Sequence, residues 1–483
     1  MHISVVSRIL GVLLMLFSLL AYLPSMLVSL IYGDGELTSF GFALMLTFGT
    51  GLIFWILTWR SKQQMRTRDG FLVVTMFWTV LSTFGSLPFL FSPDMGMTIT
   101  DAVFESFSGL TTTGATVLTG LDYMPKSILF YRQQLQWLGG MGIVALAVAV
   151  LPMLGIGGMQ LYRAESPGPV KNDNLVPRLA ETAKSLWYIY LGLTALCALA
   201  YWAAGMSLFD AICHSFATVA IGGFSTYDAS IGHFDSATIN MIAVLFMFLA
   251  GINFALHFTA WRHRSVSQYL KDPETRFYTA ILFALAVFTI SVLFLTDTYN
   301  FKDAFIHGLF QTVSITTTTG FATADFSSWP LALPYVLIYA SIVGACAGST
   351  GGGMKVIRIL LIFKQGSREI KRLIHPNAVI TVKLGRNMVP DRVIESVWGF
   401  FAVYVLVYLI LLIVLLVMGM DVVTAFSAVG ACLNNLGPGL EGVAANYADI
   451  SDPAKWVLCL AMLLGRLEIF TLLVLFMPMF WRR

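Results

Sequence analysis

The chain has 483 residues, of which 57% are hydrophobic and only 11% charged, with a formal net charge of +3. Its mean hydropathy is +0.79. A soluble globular protein of this length needs more surface charge, so these values exclude one and point to an all-α polytopic membrane protein.

The first apolar run, Val6–Tyr32, is much longer than the core of about 7–15 residues in a signal peptide, and no A-x-A-like site follows it. It reads as a true span, followed by a second at Phe40–Trp59. Apolar stretches of about 18–25 residues, each able to cross roughly 30 Å of hydrocarbon, then recur to the C-terminus in a fourfold pattern. Each repeat has an outer helix, a short half-helix opening near an acid, a loop rich in Gly, Thr or Asn, and an inner helix. In repeat one these are Phe71–Phe91, Asp101–Leu110, the loop to Thr116, and Ile128–Leu154; in repeat two, Ser185–Ala204, Phe209–Thr218, the loop to Thr226, and Ile239–Trp261. Repeat three has Phe277–Leu295, Ala304–Ile315, the loop to Thr323, and an inner segment starting near Leu333 that is interrupted. Repeat four has Val393–Met418, Val423–Leu433, the loop to Gly439, and Trp456–Trp481. The expected architecture is two N-terminal helices followed by four pseudo-fourfold repeats, giving ten crossings and four re-entrant hairpins. The corresponding division of the chain is 1–68, 69–183, 184–275, 276–390 and 391–483.

Charge distribution supports an even number of crossings. Lys and Arg cluster in alternate loops, around Arg60–Arg68, Arg163–Lys184, Arg262–Arg276 and Lys355–Arg392, with Arg482 and Arg483 closing the chain. The intervening loops hold only Lys126, Arg132, Lys302 and Lys455. By the positive-inside rule the rich loops and both termini are cytoplasmic. The five cysteines lie scattered in apolar segments without metal or redox spacing and read as small buried hydrophobes.

The repeats register at one glycine. Asp101 lies 13 positions before Gly114, Asp210 13 before Gly223, and Thr424 13 before Gly437; Asp303 lies 17 before Gly320, about one helical turn more. Asp or Thr at the start of each half-helix reads as its N-cap. Bare carbonyls are not tolerated in hydrocarbon, but four such segments can converge on an axis and satisfy one another through an ion, as carbonyl rings replace the hydration shell of potassium. Glycine permits the unusual dihedrals that turn successive carbonyls one way. The hydroxyls of Thr111–Thr113 and Thr317–Thr319 supply further oxygen ligands or bonds behind the ring. The partially negative C-terminal end of each half-helix favours a cation near the membrane centre. One such loop would read equally well as a shielded turn; four in register argue for a cation pathway.

The strings that carry this pattern are DAVFESFSGLTTTGAT at 101–116, HSFATVAIGGFST at 214–226, TTTTGFAT at 316–323 and LNNLGPG at 433–439, with GGMGI at 139–143, GACAGSTGGGMK at 344–355 and GRLE at 465–468. Over essentially all 483 residues the chain resembles the bacterial TrkH potassium-uptake family, within the wider group of Trk, Ktr and HKT transporters. The resemblance implies a single selectivity filter built from Thr112, Thr113 and Gly114, Ile221, Gly222 and Gly223, Thr318, Thr319 and Gly320, and Asn435, Leu436 and Gly437. No loop carries the full TVGYG of potassium channels, and loops two and four lack the threonines of loops one and three. The oxygen ring is therefore expected to be asymmetric and to discriminate less sharply among K+, Rb+ and Na+ than a fourfold channel.

The interrupted segment of repeat three contains Gly344, Gly348, Ser349, Thr350, Gly351, Gly352 and Gly353. Each glycine costs about 1 kcal/mol inside a helix, so the run breaks it, marking either a path or moving part or a packing kink. A nucleotide-binding P-loop is excluded, because Met354 separates glycine from lysine and no βαβ unit surrounds the run. Arg466 sits mid-span, where a cation is costly enough to require protein or water around it. It reads as a hydrogen-bond clamp or a cationic barrier, and Glu468, two residues on, as lying on another helix face. The resemblance implies that the glycine run is an intramembrane loop under the filter and that Arg466 joins it in holding a closed state.

The basic stretch around Lys364–Arg372 reads as an anchor for lipid headgroups or as a lever for a partner. The resemblance implies a homodimer in the bacterial inner membrane and a cytosolic TrkA-type subunit. That subunit would bring NAD(H) and ATP or ADP, the chain itself binding only transported K+. No nucleic-acid partner is expected. The main alternative is a potassium symporter coupled to protons or sodium, for which His214, His307 and Glu105 are the titratable candidates, each reading better as a packed residue. An enzyme is not expected, since Ser108 and Ser349 lack a G-x-S-x-G context and no H-E-x-x-H occurs.

Overall fold

The structure is a computed structural model that describes residues 2–60, 66–140, 142, 176–385 and 387–482, with backbone alone for 67 and 176–183. Helices dominate, and the one sheet among the described residues is a two-stranded ribbon, Lys383–Leu384 against Asn387–Met388. Two helices, Ile3–Tyr32 and Leu37–Thr58, pack as a hairpin ahead of the repeats. Gly11 and Gly51 face each other there; a Cβ on either would lie within 2.7 Å of the other's carbonyl oxygen. Six described helices are long and apolar enough to cross a membrane, and two bent pairs bring the number to eight. The inner segment of repeat three is divided into Leu333–Val343 and Val356–Ile374, and that of repeat one is described from Lys126 to Gly140. Its expected continuation to Leu154, and the basic residues Lys62, Arg163 and Lys171, lie outside the described residues. The chain is thus a multi-pass membrane protein with the expected two-plus-four organisation.

The half-helices are Ile99–Leu110, Leu208–Ala220, Phe301–Thr316 and Val422–Leu433. The third is longest, at 16 residues against 12, 13 and 12, as the 17-residue spacing requires. Their N-caps are not the residues expected. Thr98, Ser207, Asn300 and Asp421 cap them, each accepting the N–H of Asp101, Asp210, Asp303 or Thr424 through its side chain. The three aspartates are therefore third-position residues, whose carboxylates still favour a helix N-terminus.

Two inner helices expected to run unbroken are broken. In repeat two, Ala237–Ala250 meets Phe254–Arg262 at 93°; in repeat four, Asp452–Arg466 meets Phe470–Phe476 at 115°. Asn253 caps the helix that restarts in repeat two. In repeat four Glu468 and Ile469 both hold positive φ, at +51° and +57°. Glu468 is therefore in the break and not on a helix face. Lys455, expected in a loop, and Arg132, counted with the loops by charge although inside the expected inner helix Ile128–Leu154, lie within inner helices and are buried.

Candidate functional site

All four half-helices end in the same backbone motif. Thr113 N–H donates to Ser108 O at 2.9 Å, Gly222 to Ala217 at 2.8 Å, Thr319 to Ser314 at 2.8 Å and Leu436 to Ala431 at 2.7 Å. The residue before each donor bonds the carbonyl three positions back. This pairing is a Schellman motif, whose left-handed position is usually Gly. Here that position is Thr112, Ile221, Thr318 or Asn435, with φ of +56°, +54°, +68° and +54°. For a β-branched residue this conformation costs about 1–2 kcal/mol, so it persists only because the surroundings fix it.

Two residues further on, Gly114, Gly223, Gly320 and Gly437 again have positive φ, from +79° to +98°. They also close a cycle. A Cβ on Gly114 would lie 2.1 Å from Gly222 O, one on Gly223 2.0 Å from Thr319 O, one on Gly320 2.1 Å from Leu436 O, and one on Gly437 2.6 Å from Thr113 O. Each glycine thus presses on the carbonyl preceding the equivalent glycine of the next loop. The four loops meet in a ring, and the four glycines line one cavity of about 540 Å3 together with Arg132, Asp228 and Asp325.

The hydroxyls of Thr111 and Thr317 bond back onto their own half-helices. Thr111 Oγ1 donates to Phe107 O at 2.7 Å and lies 2.8 Å from Thr113 Oγ1; Thr317 repeats this with Val313 O and Thr319 Oγ1. Gln136 Nε2 donates to Gly222 O at 2.6 Å, and Tyr447 Oη to Gly437 O at 2.7 Å. Asn435 Nδ2 bonds Thr113 Oγ1, joining loops four and one.

Nine positions before each key glycine stand Glu105, His214, Gln311 and Ala428, and each repeat braces its loop differently. Glu105 and Arg132, both fully buried, form an ion pair at 2.7 Å. Glu105 also accepts from Thr116 Oγ1 and Val117 N–H, while Arg132 donates to Ser225 O of loop two at 3.1 Å and lies over the Phe224 ring. His214 is held between Asp210 O and Ser225 Oγ, and Gln311 donates to Ala324 O. His307 bonds Thr323 Oγ1. Of the three titratable candidates, Glu105 and His214 are packed behind the loops, and His307 is half-buried against Thr323.

The glycine run forms a hairpin directly beneath this ring. Gly344 ends the helix at φ +69° and abuts Gly352, whose carbonyl oxygen would lie 2.3 Å from a Cβ there. Gly348 lies beside the Asn253 side chain, and Ser349 Oγ donates to Cys346 O. Thr350 Oγ1 donates to Val219 O at 2.9 Å, Gly352 N–H to Thr318 Oγ1 at 2.7 Å, and Gly353 N–H to Asn434 O at 3.0 Å. A Cβ on Gly352 would lie 2.0 Å from Asn434 O, so only glycine allows that approach. Lys355 Nζ donates to Gly351 O within the hairpin.

Arg466 supplies the remaining quadrant. It donates to Thr112 Oγ1 at 3.1 Å, to Thr350 O at 3.3 Å and to Gly139 O at 2.6 Å. The hairpin and Arg466 together therefore touch all four half-helix ends. Sequence reasoning missed the Glu105–Arg132 pair, the pairing of Arg358 with Glu468, and Glu274. Arg132 alone carried a signal, as a cation inside the apolar stretch Ile128–Leu154.

A ring of four re-entrant loops around one cavity, inside a bundle of apolar helices, defines a membrane transport protein. The chain matches the TrkH family, described as cation transport proteins, over residues 38–483 and belongs to that family. It is 57% identical over 483 residues to the Trk system potassium uptake protein TrkH of Halomonas elongata, covering 100% of both chains. It is 54% identical, again covering 100% of both, to the protein of that name from Escherichia coli K12. The crystal structure of the potassium transporter TrkH from Vibrio parahaemolyticus superposes with a TM-score of 0.91, at 53% identity and covering 100% of both chains. These relatives are named as transporters, so the chain's role is transport and not catalysis.

Proposed function

We propose that the chain takes up potassium across the bacterial inner membrane through the ring of four loops, with main-chain oxygens standing in for the hydration shell. The observation that carries this reading is the cycle in which each key glycine packs on the carbonyl preceding the next. Irregular backbone at membrane depth is tolerated where it lines a water-filled path, and carbonyl rings are a known means of binding dehydrated potassium. The filter then comprises Thr112–Gly114, Ile221–Gly223, Thr318–Gly320 and Asn435–Gly437, and the chain divides at the boundaries read from the sequence.

The hairpin Gly344–Gly353 and Arg466 form the gate, because they occupy the space under the ring and bond to all four quadrants. The helix Val356–Ile374 leads from the gate to the basic segment and is where a cytosolic TrkA-type subunit, sensitive to NAD(H) and adenine nucleotides, would act. The chain works as a homodimer with both termini in the cytoplasm. Strictly proton-coupled symport would require a titratable group on the path; Glu105 and His214 are engaged behind the loops, His307 bonds Thr323, and the two carboxylates that line the cavity, Asp228 and Asp325, accept main-chain N–H groups of Gly120, Leu121 and Ser327.

Purified protein in liposomes tests this. Flux of K+ and Rb+ should exceed that of Na+, rise on addition of the partner subunit, and reverse at the potassium potential. A reversal potential that moves with pH at fixed potassium would establish coupled transport instead.

A further inference from the structure

One carboxylate closes the base of the glycine hairpin from outside it. Glu274 lies at the start of the third outer helix, Pro273–Leu295, and is 9% exposed. Its Oε1 accepts two main-chain N–H groups, from Ala347 at 2.7 Å and from Ile357 at 3.2 Å. Ala347 lies on the way into the hairpin and Ile357 just beyond its exit. The two limbs are also bonded to each other, with Met354 N–H donating to Ile342 O at 2.8 Å and Val356 N–H to Ala345 O at 3.1 Å. The entering limb is further stitched to the break in the second inner helix, through Cys346 N–H to Gly251 O at 2.9 Å and Phe254 N–H to Gly348 O at 3.0 Å.

The base and the tip are thus held by different partners. The tip bonds, from Thr350, Gly352 and Gly353, all go to the half-helix ends. Pulling on Val356–Ile374 moves both limbs together only if they stay joined near where Ile357 enters that helix. Without Glu274, two part-buried N–H groups lose the acceptor they share, and an N–H left without a partner away from water is costly.

We infer that Glu274 is the positioning residue of the gate: its single oxygen pins both limbs of the hairpin, so that the tip swings as a unit about a fixed base. This rests on the reading of the hairpin as a gate. Glu274 touches no ion in this scheme and acts only through the hairpin.

Potassium flux into liposomes, with and without the cytosolic partner, tests the inference in E274A, E274Q and E274D, with R466Q as the control for the gate itself. E274A should raise partner-independent flux about tenfold and shrink the ratio of stimulated to basal flux. E274Q keeps a carbonyl oxygen at the same reach and should restore much of that ratio. E274D, shorter by one methylene, should fall between them and serves if E274A does not fold. If R466Q opens the pore while E274A and E274D keep wild-type basal flux and stimulation, Glu274 has no such role. If R466Q also leaves the basal flux unchanged, the gate reading itself fails. A raised basal flux that E274Q does not lower at all would likewise overturn the carboxylate's positioning role.

Discussion

The glycine ring and the hairpin beneath it are both irregular backbone inside a membrane protein, yet they are held in opposite ways. Each ring loop is fixed first by its own half-helix, through a Schellman pair repeated four times, and then by side chains behind it. The hairpin has no parent helix to fix its tip; residues 350–353 bond to three separate half-helix ends and reach the fourth through Arg466. Loops anchored on their own half-helices and braced from behind need not change when the hairpin moves. A tip whose bonds to the ring all go to other elements can be withdrawn as a set, which is what a gate requires.

The largest expected effect comes from breaking the ring. In G223A the new Cβ would lie 2.0 Å from Thr319 O, at a φ of +79°. The clash and the left-handed strain together should cut potassium uptake about a hundredfold or more, measured as rescue of cells lacking other potassium uptake.

Removing one partner of the brace behind the ring comes next. R132Q strands Glu105 without its buried partner, a loss of about 3–5 kcal/mol by analogy with other buried pairs. A marked fall in thermal stability and in K+ over Na+ preference is expected. The double variant E105Q/R132Q should recover part of the stability, since it leaves no uncompensated charge. Equal stability of single and double variants would show that the pair is not coupled.

Releasing the hairpin should act in the opposite direction. R466Q loses the charged donor to Thr112 and Thr350, and partner-independent flux should rise about tenfold, with selectivity retained because the Schellman pair still fixes the Thr112 backbone. Unchanged flux at equal reconstitution would remove Arg466 from the gate.

The smallest effect sharpens the contrast between the loops themselves. Ile221 holds φ +54°, where Asn is better tolerated than a β-branched residue. I221N, copying Asn435, relieves up to about 1 kcal/mol of backbone strain but buries an amide where Ile221 is fully buried, so the melting temperature should move little and ion preference should shift modestly.

Much of the site was legible because it repeats. Thirteen-residue spacing located Gly114, Gly223 and Gly437, and the extra turn before Gly320 correctly implied a longer half-helix. The run Gly344–Gly353 announced a break, since no helix carries so many glycines without cost. The caps were misplaced by three residues because Asp is equally at home as a cap and at the third helical position. The breaks at Gly251–Asn253 and Leu467–Ile469 were hidden by apolar flanks, and in the second nothing in Leu-Glu-Ile signals positive φ. Glu105–Arg132 and Glu274 were illegible for a different reason. A carboxylate's role depends on which distant backbone it meets, and Glu274 meets residues 73 and 83 positions away.

The ring closes from a single polypeptide whose quarters are chemically unlike: Glu105, His214, Gln311 and Ala428 stand at one register. In an assembly of identical subunits any substitution is made everywhere at once. Here a codon change alters one quarter and leaves three intact, so with the ring as the proposed filter natural variation can adjust ion preference in small steps and survive changes that would disable a symmetric pore.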